Sequence, residues 1–495
     1  MASQISKQWL TTHGHKTIAD NVPVRVMQFG EGNFLRAFAD WIFKTLNDSG
    51  LFSGTVRVVQ PIPHGMVDRL KKQEYVYSLL LRGVEGGKVM DQPSFIDVIK
   101  DGLNPYQEWQ RFIECACDPD LRYVISNTTE AGIVYARTDK PAGACPETFP
   151  AKVAAMLAAR YEAVSGASDK GLTFLPCELI EKNGLKLKEA VQKHLADWKL
   201  SETVGAWVGS ACRFYNTLVD RIVTGYPATE AEAIWEKLDC RDEMLVVGEY
   251  FHLWVIEGDL SLADEIPFAK SGLNVIVTDN LKPYRDRKVR VLNGAHTGNV
   301  LAAFLAGVDT VGEMMDDARL GAFLRSMVLD EILPGVQLPD AEKRSYAEAV
   351  FERFQNPFVR HEILSIALNS VSKWKVRVLP SLKDYVEQKK TLPAKLAFSL
   401  AGLIAFYHGD WDGDNLAGKR DKGGYPIRDD KPVLEAMHKA WTAHAASPEN
   451  LAREVLSNTM LWDEDLTAIP GLTDKVAACL RDIAAKGIGA AMDTL

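Results

Sequence analysis

Residues 24–36 read VRVMQFGEGNFLR, and this short segment predicts the architecture of the N-terminal half. Its opening apolar run is typical of a buried strand, and Gly30 and Gly32 then allow a tight turn. A helical pattern with apolar residues spaced largely by threes and fours follows over 34–46. A second β-rich run at 55–59 completes a strand, turn, helix, strand unit of about 30 residues.

The alternation of strands and helices continues through the first half of the chain. Further strand-like runs lie at 75–81, 123–126, 172–175 and 274–277. They predict an open, largely parallel α/β sheet. From about Lys282 onward, long amphipathic segments predict helices, and Gly409 to Pro432 is predicted to be an exposed loop because it is dense in glycine and charge. We therefore expect a Rossmann-type domain over 1–280 and a mainly α-helical domain over 281–495.

Size and charge limit the partners that the chain can have. A length of 495 residues exceeds what one core usually supports, which agrees with two domains. The hydrophobic share of 47% and charged share of 25% are ordinary for a folded soluble protein. A net charge of -9 argues against binding to nucleic acid or to an anionic membrane surface. We expect a small-molecule ligand, and an anionic one would need a local cationic pocket.

The cysteines and the N-terminal segment predict a cytoplasmic location. Seven scattered cysteines lack paired spacing, which is typical of reduced thiols inside a cell. The first 16 residues have no apolar core of the signal-peptide kind. The longest apolar stretch, 396–407, is too short to span a bilayer. The histidine spacings also lack a zinc signature, so no metal is expected.

The turn at Gly30 and Gly32 has two of the three glycines of a dinucleotide-binding fingerprint. Glycine permits the tight turn and lets a pyrophosphate approach the backbone. A complete fingerprint has a third glycine where this chain has Leu35, so an ordinary α/β loop is about as good an explanation. The second strand runs into Gln60 rather than an acidic residue, and Asp68 is a weak substitute. These residues therefore leave the choice between NAD and NADP open.

Lys288, Asn293 and His296 form the most informative polar set. At about 100° per residue they fall within an arc of roughly 140° on a helix, so they can converge on one ligand. The alternative is a surface lysine, a helix-breaking Asn-Gly pair and a capping histidine, to which we give equal weight.

These three residue types suit hydride transfer at a carbonyl carbon. The alkoxide that forms must be protonated, and an alcohol must lose its proton in the reverse direction. Lys288 can give or take that proton, and Arg287 and Arg290 are neighbouring charges that would favour its neutral form. Asn293 can donate an N–H to the oxyanion, while His296 can bond the same oxygen or hold the lysine. No metal is then needed.

The spacing of Lys288, Asn293 and His296 resembles the active-site helix of the mannitol dehydrogenase family of long-chain polyol dehydrogenases. Three other segments are similar to this family: 29–36 to its cofactor turn, 126–132 to its Thr-Glu-Gly strand end, and 219–222 to its signature. The resemblance spans nearly the whole chain and implies a nicotinamide-dependent oxidoreductase. It implies dinucleotide contacts at Phe29, Gly30, Glu31, Gly32, Asn33, Phe34, Thr129 and Glu130.

Within the family, segments such as PCELIEKNG, TLVDRIVTGYP and KVRVLNGAHT resemble the branch that acts on hexuronates. This implies NADH-linked interconversion of D-tagaturonate and D-altronate in galacturonate breakdown. By position, Lys288 would be the acid/base, Asn293 the oxyanion donor and His296 its partner. The alternatives are reduction of fructuronate, a mannitol or other polyol dehydrogenase, and a nucleotide-binding protein without catalysis.

Two departures from the mannitol dehydrogenase pattern concern the substrate. The family's Cys-Asp-Asn is Cys177-Glu178-Leu179 here, so a second oxyanion-binding amide is lost. The family has a glutamate three residues before the catalytic lysine, and this chain has Arg285 at that position. The cation favours binding of a substrate carboxylate.

We expect an active site in a cleft between the two domains, with Lys288 near their junction. A second polar set, Arg353 and Asn356 among its members, could hold the sugar acid. The substrate-binding candidates are Asp220, Arg285, Arg360, His361 and Lys373. The sequence leaves the oligomeric state open.

Overall fold

The computed structural model describes residues 3–495, and the chain divides into two compact units. The first comprises Met1–Arg82 and Met90–Leu281, and the second comprises Gly83–Val89 and Lys282–Leu495. No helix in the described part of the chain is long and apolar enough to cross a membrane.

A six-stranded parallel sheet organises the first unit. Its strands are β2 (Val24–Phe29), β3 (Thr55–Val59), β6 (Ile99–Leu103), β7 (Tyr123–Ser126), β8 (Thr173–Pro176) and β9 (Arg213–Phe214). They lie side by side as β6-β3-β2-β7-β8-β9. Numbered along the chain, this order is 3-2-1-4-5-6, the order of sheets that bind dinucleotides at the point where the strand order reverses.

Both faces of this sheet are buried, which explains its near-continuous apolar strands. Val26 and Met27 enter two different apolar clusters, as successive residues of a strand must. The helices of this unit are α1 (Lys7–Thr12), α2 (Asn33–Ala37), α3 (Ala39–Asp48), α4 (Val67–Lys72), α5 (Trp109–Ala116), α6 (Phe149–Ala163), α7 (Asn183–Asp197), α8 (Glu202–Ala211), α9 (Ala231–Leu238) and α10 (Leu262–Glu265). The single helix expected over 34–46 is interrupted at Phe38.

Two of the predicted strands belong to other sheets. The remaining strands of this unit are β1 (Ser3–Gln4), β4 (Tyr77–Glu85), β5 (Lys88–Ile96), β10 (Asn216–Asp220), β11 (Val223–Gly225), β12 (Cys240–Arg241), β13 (Val246–Glu249), β14 (Leu253–Glu257) and β15 (Val275–Thr278). The runs at 75–81 and 274–277 do form strands, but β4 pairs with β13 and β15 pairs with β14. The expectation that these two runs join the same parallel sheet was wrong, because strand partners distant in sequence are not encoded in the local pattern.

The second unit is mainly helical, which confirms the predicted class. Its helices are α11 (Lys282–Arg287), α12 (Gly294–Leu305), α13 (Val311–Asp316), α14 (Ala318–Ser326), α15 (Asp340–Phe354), α16 (Ile363–Ile366), α17 (Ser370–Arg377), α18 (Leu379–Lys389), α19 (Ala394–Phe406), α20 (Lys431–His444), α21 (Pro448–Leu456), α22 (Thr459–Trp462), α23 (Leu472–Lys486) and α24 (Ile488–Met492). Two π-helical segments, Lys288–Asn293 and Met327–Ile332, continue α11 and α14.

The loop predicted at Gly409 to Pro432 contains a three-stranded antiparallel sheet instead. Its strands are β16 (Gly409–Asp412), β17 (Asn415–Arg420) and β18 (Gly423–Ile427). Leu416 pairs with Ile427 and both are fully buried, while Gly418 leaves room for the ring of Tyr425 opposite it. Apolar residues at every second position favour strands here, although the turns between them are charged and rich in glycine.

Acidification should destabilise the first unit through His252. Asn274 donates its backbone N–H to Nε2 of His252 at 2.9 Å. Burial, followed by the nearby Arg221 charge, lowers the pKa of His252 to about 3. An unfolded histidine has a pKa of about 6.5, so the unfolded chain holds more protons between these values, and stability falls as the pH drops below about 6.5.

Urea unfolding at about pH 7.5 and about pH 5 checks this expectation, because the two conditions bracket the ordinary histidine titration. His252→Gln removes the titrating group, so this variant should lose less stability on acidification than the unmodified chain. An equal loss in both proteins would contradict the assignment.

Candidate active site

The glycine turn after β2 lies against the carboxyl ends of two neighbouring strands. Gly30 donates its N–H to Val59 O at 3.0 Å, and Asn127 donates its N–H to Phe29 O at 3.1 Å. Gly30 has a φ of 120°, and a Cβ there would lie 3.0 Å from Asn127 O. A Cβ at Gly32 would meet nothing within 4 Å. Space therefore lies open beside the backbone of Gly32, as close approach of a dinucleotide requires.

The other residues expected to contact the dinucleotide differ in their exposure. Phe29 is fully buried in the apolar core, so only its backbone could face a ligand. Phe34 is half-buried, and Asn33 is exposed. Thr129, with a φ of 74°, and Glu130 are both exposed in the segment after β7.

Glu31 extends from the glycine turn to the loop after β3. Its Oε1 accepts a hydrogen bond from Met66 N at 2.9 Å, directly before α4. The side chain is buried, and this burial raises the pKa of its carboxyl group while the Met66 N–H opposes the rise.

Glu178 clamps the carboxyl ends of β7 and β8 together. Its carboxylate accepts hydrogen bonds from Ser126 Oγ at 3.0 Å and from Thr128 N and Oγ1 at 3.0 and 2.9 Å. The adjacent Leu179, which stands in the place of the lost amide, is 65% exposed. Through its hydrogen bonds to Thr128, Glu178 therefore holds the segment that contains Thr129.

Lys288 and Asn293 begin and end a π-helical segment. The expected rotation of about 100° per residue is wrong between these two residues. Hydrogen bonds from i to i+5 bring residues five apart closer to one face than an α-helix would. His296 follows three residues later in α12, on the same face as Asn293. The three side chains can thus converge more closely than the α-helical pattern predicted. The structure keeps Asn293-Gly294 within continuous helix, which removes the helix-breaking alternative.

Most cations of the basic stretch around Lys288 are neutralised. Arg287 donates to Glu342 at 2.7 Å, and Arg290 pairs with Asp384. These ion pairs weaken the expected effect of Arg287 and Arg290 on the charge of Lys288. Their guanidinium groups are therefore poor candidates for binding an anionic substrate.

His296 is a half-buried residue whose ring packs against two aromatic side chains. Its ring stacks on Phe354 at 4.0 Å between centroids and meets His361 edge-on at 5.2 Å. Nε2 is buried and has no hydrogen-bond partner among the described residues. Burial, followed by the charges of His361, Arg353 and Arg377, holds the pKa of His296 well below its usual value. The ring is therefore neutral near pH 7 and can hydrogen-bond a ligand oxygen.

Arg377 joins this cluster from the end of α17 and was missed in the sequence analysis. Its Nη1 donates to Thr297 Oγ1, next to His296, at 3.3 Å. Burial is the one cause that lowers its pKa, and no carboxylate among residues 3–495 forms a salt bridge with it. A Cβ on Gly294 would lie 3.1 Å from Arg377 O, so glycine lets α12 approach the end of α17 closely. The sequence feature that could have indicated Arg377 is its position four residues after the candidate Lys373, on the same face of the helix.

The five substrate-binding candidates occupy different surroundings. Asp220 is buried at the end of β10 in the first unit, and Arg285 is half-buried in α11. His361 belongs to the His296 cluster. Lys373 donates Nζ to Ile366 O at 2.8 Å, and its pKa is lowered by burial and then by Arg377. Arg360 is 73% exposed and pairs with Glu362 at 2.6 Å, so the structure does not bring its charge to the cluster.

Of the second polar set, Arg353 contributes charge near His296. The Asn356 side chain instead accepts a hydrogen bond from Phe358 N at 3.0 Å and supports the turn after α15. Within the described residues, no group of three or more His, Cys, Asp or Glu side chains could hold a metal ion.

Comparison with known proteins identifies the family on both halves of the chain. Residues 24–270 match the mannitol dehydrogenase Rossmann domain, and residues 280–484 match the mannitol dehydrogenase C-terminal domain. An altronate oxidoreductase of Pectobacterium atrosepticum is 43% identical over 475 residues, covering 95% of this chain and 96% of the relative.

Solved structures agree on the fold. A substrate-free D-sorbitol dehydrogenase has a TM-score of 0.78 and 20% identity, covering 99% of this chain and all of its own. Mannitol 2-dehydrogenase of Pseudomonas fluorescens, solved with NAD and D-mannitol, has a TM-score of 0.63 and 20% identity over 99% of both chains. The solved structures confirm the predicted Rossmann-type and helical architecture, and the family models and the altronate oxidoreductase confirm the prediction of a dehydrogenase. The chain belongs to the mannitol dehydrogenase family.

Proposed function

We propose that the chain is a NAD-dependent oxidoreductase that interconverts D-tagaturonate and D-altronate in galacturonate breakdown. The observation that carries the choice of a sugar acid is the cluster of cations beside His296, which includes an arginine without a carboxylate partner. The kinship with an altronate oxidoreductase over 95% of the chain agrees with this substrate.

In this proposal, Lys288, Asn293 and His296 act on the reacting oxygen. A bound nicotinamide supplies hydride to the carbonyl carbon in reduction and accepts it in oxidation. Lys288 protonates the resulting alkoxide and removes the proton in the reverse direction. Asn293 donates an N–H to the negative oxygen. Neutral His296 hydrogen-bonds the substrate through its free Nε2.

The substrate carboxylate is assigned to Arg377 and Lys373. Both are partly shielded from water, and Lys373 lies close enough to Arg377 for the two charges to repel. A carboxylate between them would relieve that repulsion and form charge-assisted hydrogen bonds. Asp429 partly offsets the charge on Lys373, so Arg377 is the stronger of the two partners. His361 is proposed as a further polar contact, and Arg285, Arg360 and Asp220 remain weaker candidates.

The two parts of the chain have different roles in this proposal. Residues 1–280 hold the dinucleotide through the glycine turn and the segment around Thr129 and Glu130, and residues 281–495 supply the acid/base and substrate groups. We place the reaction in the cytoplasm, because the dinucleotide that it uses is an intracellular compound.

A side-by-side assay tests the substrate. NADH oxidation is measured with tagaturonate, fructuronate and fructose, and then repeated with NADPH. We expect kcat/KM with tagaturonate to exceed that with fructose by about 100-fold, since a charge-assisted contact is worth about that factor. Fructuronate carries the same charge, so its rate tests stereochemistry alone. Faster turnover of fructose than of either acid would contradict the proposal.

A further inference from the structure

The carboxylate of Glu31 lies where the sequence lacks an acidic residue. Strand β3 is the second strand of the 3-2-1-4-5-6 sheet, and Gln60 follows it. In sheets of this order an acidic side chain at the end of the second strand hydrogen-bonds the 2′-hydroxyl of the NAD ribose. Glu31 comes from the preceding turn but places its Oε1 2.9 Å from Met66 N, in the loop after β3.

The surroundings hold this carboxylate in one place. A Cβ on Gly65 would lie only 2.0 Å from Glu31 Oε1 and 2.6 Å from Gln60 Cδ, so the three residues pack directly together. Gln60 Nε2 donates to Ile62 O and Pro63 O at 2.9 and 3.0 Å. These hydrogen bonds between Gln60 and the backbone of the same loop stabilise its conformation. The Glu31 side chain is buried against it, with 5% of the residue exposed.

The site fits a dinucleotide on two observations of this chain. Gly32, next to Glu31, leaves open space where a side chain would stand. Glu31 Oε1 accepts the Met66 N–H, and apart from the backbone N–H of Glu31 itself no further donor among the described residues bonds this carboxylate. The carboxylate thus supports the loop and keeps acceptor capacity for a ligand hydroxyl.

We propose that Glu31 selects NAD over NADP by supplying, from the glycine turn, the acidic group that normally follows the second strand. This inference rests on the proposed dinucleotide-dependent function. A carboxylate accepts a hydrogen bond from a ribose hydroxyl, whereas a 2′-phosphate carries a charge of about -1.5 to -2 at neutral pH and is repelled. The other acidic candidate near this strand, Asp68, is exposed in the first turn of α4.

The test measures binding of ADP-ribose and of its 2′-phosphate by calorimetry, which requires neither turnover nor a sugar substrate. The unmodified chain should bind ADP-ribose at least about 10-fold more tightly, as expected for a hydrogen bond to a charged group. Glu31→Gln keeps an oxygen for Met66 N but removes the charge, so the preference should fall about 10-fold or more. Asp68→Asn removes a charge nearby and should leave the preference unchanged.

The outcomes separate this inference from the proposed function. Equal affinity of the unmodified chain for the two ligands would overturn the inference without any variant, even if Glu31→Gln folds poorly. An unchanged preference in Glu31→Gln, or a loss in Asp68→Asn alone, would also overturn it and leave dinucleotide binding intact. Failure of both ligands to bind the unmodified chain would instead refute the dinucleotide part of the proposed function, and this inference with it.

Discussion

Replacing Lys288 with methionine should lower kcat for tagaturonate reduction by about 1,000-fold, within the range that general acid catalysis contributes. Methionine keeps much of the length of the side chain but has no proton to give to the alkoxide. Lys288 and Asn293 begin and end one π-helical segment, which turns residues five apart toward one face, as the proposed acid/base and oxyanion donor require. The dissociation constant of NADH should change less than about twofold, because the proposed dinucleotide contacts all lie outside this segment.

A matched control and a rescue make this prediction specific. Lys282→Met removes the same charge six residues earlier, where the side chain is 75% exposed and pairs with Asp286, and should leave kcat nearly unchanged. In Lys288→Ala, added methylamine should restore part of the lost rate, because it supplies the missing ammonium group. A Lys288→Met enzyme that retains more than about a third of its turnover would contradict the acid/base role.

The residues that sequence analysis found are those whose role depends on local spacing. The glycine turn, the first βαβ unit and the Lys288, Asn293, His296 set are each defined within a dozen or so neighbouring positions. Periodicity predicted the turn and the βαβ unit because a strand or a helix repeats over that distance, whereas the Lys288, Asn293, His296 set was proposed from its residue types and spacing. The resemblance to a family then added the role of each residue, which spacing alone could not supply.

The features that were missed depend on contacts between distant segments. Glu31 was placed in the glycine turn, but only the fold shows its carboxylate beside Met66. The π-helical hydrogen bonds at Lys288–Asn293 leave no simple periodicity in the sequence. Arg377 looked like one more basic residue of an amphipathic helix, and its proposed role rests on its contact with Thr297 and on the lack of a carboxylate partner among residues 3–495.

Replacing Arg377 with methionine should lower kcat/KM for tagaturonate by about 100-fold, the value of a charge-assisted pair with a substrate carboxylate. Most of the loss should appear in KM, because the carboxylate is bound in the ground state as well as in the transition state. The weaker rate with neutral fructose should change little or rise. This difference separates carboxylate binding from a merely structural role, which would reduce both rates together.

The surroundings of Arg377 provide the control for this experiment. Its guanidinium makes one side-chain hydrogen bond in the described part of the chain, to Thr297, so Arg377→Met should unfold within a few degrees of the unmodified protein. Arg325→Met removes a partly exposed arginine that already pairs with Glu348 at 3.1 Å and should leave kcat/KM for tagaturonate intact. Arg377→Lys should be more active than Arg377→Met, since lysine keeps the positive charge but cannot form bidentate hydrogen bonds with the carboxylate. If Arg377→Met slowed tagaturonate and fructose by equal factors, the carboxylate would have to be bound elsewhere, and the half-buried Arg285 of α11 would become the first alternative.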